Sequence, residues 1–334
     1  MTASERITNL IRGKSFDRLP VIEWAPWWHL TVERWVSEGV PQKETASVYS
    51  LQKYLGLDAC LQTYFPAITA ATPQPAYHGA PIINNKDDYL KIKKTLYPDV
   101  TKAYSKEHYE FLRKTRADGD TVHFYTIEGF FWFPRTLLGI EQHLYSFYDQ
   151  PEFYKEICHD YSEWAKTVIG FIGNTFKFDF MSFAEDMSYN HGPMLSKETF
   201  DEFLLPFYKD VIKLIKKTDI PVFVDSDGDI TKAVDWYAEA GAEGMFPLER
   251  QAGVDVAKYI EKQPQMTFLG HYDKMCMKFG EKAMREEFER ILPSAKKGRV
   301  IISVDHQTPP DVSLENYRTY VGLFKEYAKL GKRE

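Results

Sequence analysis

The 334-residue chain carries 42 lysines and arginines against 48 aspartates and glutamates, a net charge of −6. That balance argues against nucleic acid or an anionic membrane as partner, because both need a basic face. Its three cysteines, Cys60, Cys158 and Cys276, lie far apart without CxxC spacing, which argues against a disulfide framework or a thiolate zinc site.

In chain order, MTASERITNLIRGK has the spacing of an amphipathic helix rather than a signal peptide, and no apolar run is long enough for a bilayer, so the protein is expected to be cytoplasmic. The run PVIEWAP carries Glu23 and leads into Trp24, Trp27 and Trp28, while DACLQTYF near residue 59 is a weaker strand candidate. Residues 81–118 are charged and helical in pattern, an excursion before VHFYTIEG closes on Glu128. Asp149, Pro151 and Glu152 form a first-turn signature for a long helix reaching residue 172. FDFMSFAED ends on Glu185 and Asp186, followed by a helix over 196–217 with Phe200, Phe203, Leu204 and Phe207 on one stripe. VFVDSDGD ends in Asp225, Asp227 and Asp229, EGMFPLE in Glu249, MTFLGHYDK in His271 and Asp273, and RVIISVDH in Asp305 and His306. Helical patterns over 230–240, 254–261, 281–292 and 313–330 fill the later gaps.

About eight apolar runs alternating with helices predict an α/β fold, a (β/α)₈ TIM barrel with an N-terminal helical extension and the 81–118 excursion. With no linker-like, low-complexity or repeated stretch, residues 1–334 read as a single domain. In such a barrel the carboxyl ends of the strands share one mouth, so the terminal acids and histidines converge there. Folding alone gives no reason to crowd acids at a strand end, since each resists burial without a proton, cation or donor.

Within that mouth Asp227 ranks first, being central in its cluster and beside Gly228, whereas Asp229 is better placed to cap the next helix. His306 and Glu249 follow as catalytic candidates, although Arg250 and Lys274 are also within reach of Glu249 as ion-pair partners. Trp27, Trp28, Trp132, Glu185, Asp186 and His271 are candidates for binding substrate. An aromatic-walled, acid-floored mouth suits a flat, neutral molecule. No P-loop, GxGxxG or GxSxG signature is present.

The segments DRLPV (17–21), GFFWFPRTLLGIEQHLYSFYDQPE (129–152), GPMLSKETFDEFLLPFYKDVI (192–212), VFVDSDGD, AGAEGMFPLE (240–249) and PPDVSLENY (309–317) resemble blocks of the uroporphyrinogen decarboxylase superfamily. The resemblance runs in order along nearly the whole chain and implies a (β/α)₈ barrel. True decarboxylases of that superfamily carry an arginine-rich segment after the first strand for a multiply charged substrate; here the stretch is APWWHL, residues 25–30. Its corrinoid-linked methyltransferases hold zinc through a His-x-Cys and a later Cys, which by position correspond here to Asp225, Asp227 and His306. That set contains no thiolate but can bind a divalent metal such as Zn²⁺ through oxygen and nitrogen.

The resemblance thus implies an O-demethylase-type methyltransferase, passing a methyl group from a small methoxylated aromatic or related donor to cobalt(I) of a corrinoid. Either a metal or a protonated side chain would activate the leaving heteroatom. The chain has no DxHxxG ligand loop, so the cobalamin-type cofactor would ride on a separate corrinoid protein. A non-porphyrin decarboxylase or lyase of the same superfamily is the alternative, and would need Arg135, Arg250 or Lys274 at the mouth for a small carboxylate. Sequence leaves the oligomeric state open.

Overall fold

A computed structural model of the chain describes residues 1–333. Seven strands form one wholly parallel sheet in the order β1 (Ala59–Tyr64), β2 (Thr121–Glu128), β3 (Phe180–Ala184), β6 (Val222–Asp225), β7 (Gly244–Phe246), β8 (Thr267–Tyr272) and β9 (Arg299–Val304). A short hairpin, β4 (Ser188–Tyr189) with β5 (Gly192–Pro193), stands outside it just after β3. The helices follow the strands as crossovers, giving the expected TIM-barrel-type fold. Among the described residues no helix is long and apolar enough to cross a membrane.

The first apolar run corrects the strand count. Residues 21–24 lie at the seam between β1 and β9 without forming a ladder. Asp58 N–H donates to Val21 O at 2.9 Å on one side, and Trp24 Nε1–H to Val304 O at 2.8 Å on the other. The Glu23 carboxylate accepts from Val304 N at 3.1 Å, taking the donor a strand carbonyl would otherwise use. Pro20 and Pro26, which lack N–H groups, bracket the run. A side chain therefore performs the closure expected of an eighth strand.

The N-terminal helix Ala3–Ile11 opens with a capping box of Thr2 and Glu5, and Ser4 Oγ donates to Asp179 Oδ1 at 2.6 Å beneath β3. The excursion contains helices Lys86–Ile92 and Lys106–Ala117. Where sequence reads one helix over 196–217 there are two, Lys197–Phe203 and Leu205–Ile215, parted at Leu204 because Pro206 disfavours an unbroken helix.

Inside the sheet the paired residues build levels. Phe124 stacks on Phe180 at 4.7 Å between centroids, Phe180 meets Phe223 at 4.9 Å, and Phe246 meets Trp24 at 4.8 Å. Further along the strands, Glu128 pairs with Ala184 and Ala184 with Asp225. Aromatics form the floor and acids the rim, the reverse of the layering expected from sequence.

Candidate active site

The acid cluster is assembled by the backbone. Glu185 N and Asp186 N both donate to Asp225 O, at 2.9 and 3.3 Å, tying the end of β3 to β6. Asp186 takes φ 39°, and its Oδ1 accepts from Asp227 N at 3.2 Å. Gly228 N donates to Glu249 Oε2 at 3.0 Å, bringing in the acid after β7. Gly228 has φ +80°, and a Cβ there would come within 2.7 Å of the Tyr189 backbone, so only glycine fits this crossing. Asp229 Oδ1 accepts from Thr231 N at 3.0 Å in a turn, and does not cap the following helix as expected, because that helix starts only at Ala233.

Carboxylate oxygens of Asp186, Asp225 and Asp227 lie within 4.8 Å of one another. His306 Nε2 stands 3.8 Å from Asp227 Oδ2, and its ring meets Trp24 edge-on at 6.2 Å. Asp225, Asp227, Glu249 and His306 thus share one mouth, and Asp186 joins the set of possible metal ligands. Burial followed by repulsion from Asp186 and Glu249 pushes the Asp227 carboxyl up to about 8. Asp225 is raised well above the usual range by burial and by Asp186, Asp227 and Glu249. Asp186 is raised by burial, against the Asp227 amide, Arg135 and His306. Burial, then Lys274, holds the His306 imidazolium down. Both shifts favour the uncharged forms, a protonated Asp227 3.8 Å from a neutral imidazole.

Two cations complete the rim, Lys274 and Arg135, which sequence reasoning named as carboxylate binders for the lyase alternative and, for Lys274, as an ion-pair partner of Glu249. Lys274 Nζ reaches the fully buried Asp305 at 3.1 Å, and Asp305 also accepts from Arg250 N at 3.1 Å. The Arg135 guanidinium lies 4.7 Å over the Trp132 ring and shares its field with Asp186. Arg135 follows β2 by several residues and spacing does not mark it, whereas Lys274 lies just past β8 at the end of the MTFLGHYDK run.

Other candidates sit elsewhere. Glu185 is wholly buried and accepts from Phe131 N, Trp132 N, Tyr208 OH and Tyr237 OH, which leaves it no room for substrate. His271 leaves the mouth because Gly270 and His271 have φ +109° and +71°. Its Nδ1 faces Leu248 O at 3.3 Å, and its Nε2 faces Arg290 Nη1 at 2.9 Å and Val256 N at 3.3 Å. Those partners fix a neutral tautomer with Nδ1 protonated, and burial beside Arg290 pushes the ring down to about 3. Trp28 is 45% exposed, whereas Trp27 is buried against Trp35 and Tyr317, with centroids at 5.7 and 5.9 Å. Trp27→Ala should therefore cost about 3–5 kcal/mol of stability in urea unfolding, with catalysis per folded molecule retained. A folded variant of unchanged stability that loses catalysis would return Trp27 to the pocket.

Three glutamates away from the cluster are also pushed up by burial: Glu23 and Glu128 to about 7 and Glu185 to about 8. Folding takes up a proton at each between its ordinary value and its raised one. Their contribution to stability is complete below about pH 4.5 and fades as pH rises through 7 to 8. For Glu23 the loss amounts to about 3 kcal/mol. Urea midpoints should fall from pH 5 to 8.5 and fall less in Glu23→Gln; parallel profiles for the two proteins would contradict this.

A sequence profile for uroporphyrinogen decarboxylase (URO-D) matches residues 136–327. The chain is 31% identical over 147 residues to a uroporphyrinogen decarboxylase of Nautilia profundicola, a span of 42% of this chain and 40% of that protein. The chain thus matches well under half the length of that relative. Among solved structures it is similar to a methyltransferase from Methanosarcina mazei, with TM-score 0.69, 15% identity and coverage of 98% of this chain and 99% of the other. A putative vitamin-B12 independent methionine synthase from Listeria monocytogenes gives TM-score 0.50 at 14% identity, over 96% and 100% of the two chains. Both likenesses are of fold.

Proposed function

The chain belongs to the uroporphyrinogen decarboxylase family, and from that premise we propose that it is a methyltransferase, moving a methyl group from a small methoxylated aromatic or related donor to a corrinoid protein. The observation that carries this reading is the cluster at the mouth, where oxygens of Asp186, Asp225 and Asp227 lie within 4.8 Å of one another and His306 stands 3.8 Å from Asp227, a crowding that with burial raises the Asp227 carboxyl to about 8. An ether oxygen leaving with the electrons of its methyl bond needs a proton or a positive charge, and a carboxylic acid still protonated at neutral pH supplies one. Porphyrinogen decarboxylation fits less well, because indoles fill 25–30 where a multiply charged substrate needs guanidinium forks.

The partner's corrinoid would supply cobalt(I), the nucleophile that accepts the methyl group. This chain would hold the donor at the acid cluster, with Trp24 beside His306. Asp227 would face the departing oxygen, and His306 would accept or return its proton. Burial, with the nearby Asp186 and Glu249, keeps that proton on Asp227 by disfavouring its anion.

A divalent cation also fits the residues present. Asp186, Asp225 and Asp227 offer three oxygens within 4.8 Å of one another, and His306 adds a nitrogen beside Asp227. A bound cation would act as a Lewis acid toward the leaving oxygen, and the three carboxyls would hold it as anions. Metal analysis of the purified protein separates the two arrangements. A screen of methoxylated aromatics with a cobalt(I) corrinoid protein, read by the cobalt spectrum, tests the reaction; turnover of a donor without any corrinoid would sink it and favour a lyase.

A further inference from the structure

A cavity of about 590 Å³ opens at the carboxyl end of β1, and no residue of the acid cluster lines it. Its walls include Tyr64, Phe65 and Ile68 from the strand end and the turn after it, Val100 and Tyr104 from the excursion, and Trp164 from the helix Pro151–Thr175. Fixed bonds hold those walls in place. Ile68 forms an isolated antiparallel bridge with Leu96, Tyr97 N donates to Ala67 O at 2.7 Å, and Tyr104 OH donates to Tyr64 O at 2.6 Å. The Phe65 and Tyr104 rings meet edge-on at 5.6 Å. The hollow is therefore built into the connection between β1 and β2, at the end of the barrel where ligands bind.

The lining says what chemistry fits. Its polar side chains are already engaged: Trp164 Nε1 donates to Pro98 O at 2.9 Å, Thr69 Oγ1 donates to Thr95 O at 2.8 Å, and the exposed Lys102 ammonium lies 3.3 Å from Asp99. The Tyr64 hydroxyl lies beside the Glu128 carboxyl. A charged ligand would lose its water there and gain no free partner. Four aromatic rings in the wall favour a flat apolar ring system instead. Apolar cavities of roughly 150 Å³ already accept a benzene ring, so this one has room for fused rings.

Position separates the cavity from the acid cluster. The sheet runs β1, β2, β3, β6, so Tyr64 at the end of β1 stands three strand steps from Asp225 at the end of β6, about 14 Å along the sheet at ~4.8 Å per step. A one-ring molecule at Asp227 is too short to fill both places.

We infer that this cavity is a second binding site, taking an uncharged fused-ring aromatic molecule. The inference stands apart from the methyl-transfer reading, because none of its walls comes from the acid cluster.

Equilibrium dialysis of the whole protein against naphthalene tests it. The wild type should bind one naphthalene per chain saturably, and Asp227→Asn should bind it equally well. Ala70→Trp and Ala103→Trp each set an indole in the hollow from an exposed wall position, where folding has little at stake. Both should weaken naphthalene binding at least about 10-fold by occupying its apolar contact area. 2-Naphthoate, the same rings with a charge, should bind the wild type at least about 10-fold more weakly than naphthalene. No saturable binding by the wild type, or unchanged binding in both folded tryptophan variants, would overturn the site. Loss of naphthalene binding in Asp227→Asn would move the ligand to the acid cluster and overturn the second site. 2-Naphthoate binding as tightly as naphthalene would overturn the uncharged class and make Lys102 the partner of its carboxylate.

Discussion

Asp227→Asn should slow single-turnover methylation of a cobalt(I) corrinoid protein by about 10² to 10⁴, the range supplied by a positioned acid. The replacement keeps the shape of the side chain but removes the transferable proton. At neutral pH it exchanges one uncharged group for another of the same shape, so the variant should be about as stable as the parent. A loss of rate without loss of stability is the signature that separates chemistry from scaffolding. Affinity for the donor should change little, because the acid acts on the oxygen mainly as its bond breaks. Near-parental rates in folded Asp227→Asn and His306→Ala would remove both residues from the mechanism.

The pH profile sharpens that expectation. An acid raised to about 8 is competent below that pH and is lost above it, so the methylation rate should fall on the alkaline side with a midpoint near 8. A cation in the cluster inverts the sign. Asp186, Asp225 and Asp227 would then bind as anions, competition from protons would grow as pH falls, and the rate would drop on the acid side. One titration, run with metal content measured alongside, therefore distinguishes proton donation from Lewis-acid activation at the same residues.

The α/β fold was legible because apolar runs ending in acids alternate with amphipathic helices, and the number of such runs points to a barrel. What failed to read through depends on partners distant in sequence. The run at Glu23 has the same apolar look as a strand, and only the approach of Ser303 and Val304 to its carboxylate shows that a side chain closes the seam. Glu185 and Asp186 are adjacent acids with opposite fates: one is locked under Phe131 and Trp132, and the other enters the mouth, with a left-handed φ at Asp186 between them. His271 ends a strand like its neighbours, but left-handed backbone at 270 and 271 aims its ring at Arg290. Spacing gives no account of such local reversals.

Gly129→Ala should be among the most damaging single-methyl changes available to this protein. Gly129 directly follows β2, where its N–H donates to Ala184 O at 2.6 Å, and the chain then turns into the helix Trp132–Leu138. An added Cβ would fall 1.6 Å from Glu185 Oε2, 2.3 Å from its Cδ and 2.7 Å from Tyr208 OH. None of those atoms can retreat cheaply. Glu185 is fully buried and accepts from Phe131 N, Trp132 N and two tyrosines, so displacing it strands several donors at about 1–3 kcal/mol each. The expected loss is therefore upward of about 3 kcal/mol in urea unfolding, or failure to fold at all. Gly322→Ala is the control, an exposed glycine inside the helix Leu314–Leu330 with no atom within 4 Å of its added Cβ. It should gain about 0.5–1 kcal/mol from helix propensity alone. If the two variants unfold at similar denaturant concentrations, the Glu185 network does not hold the turn.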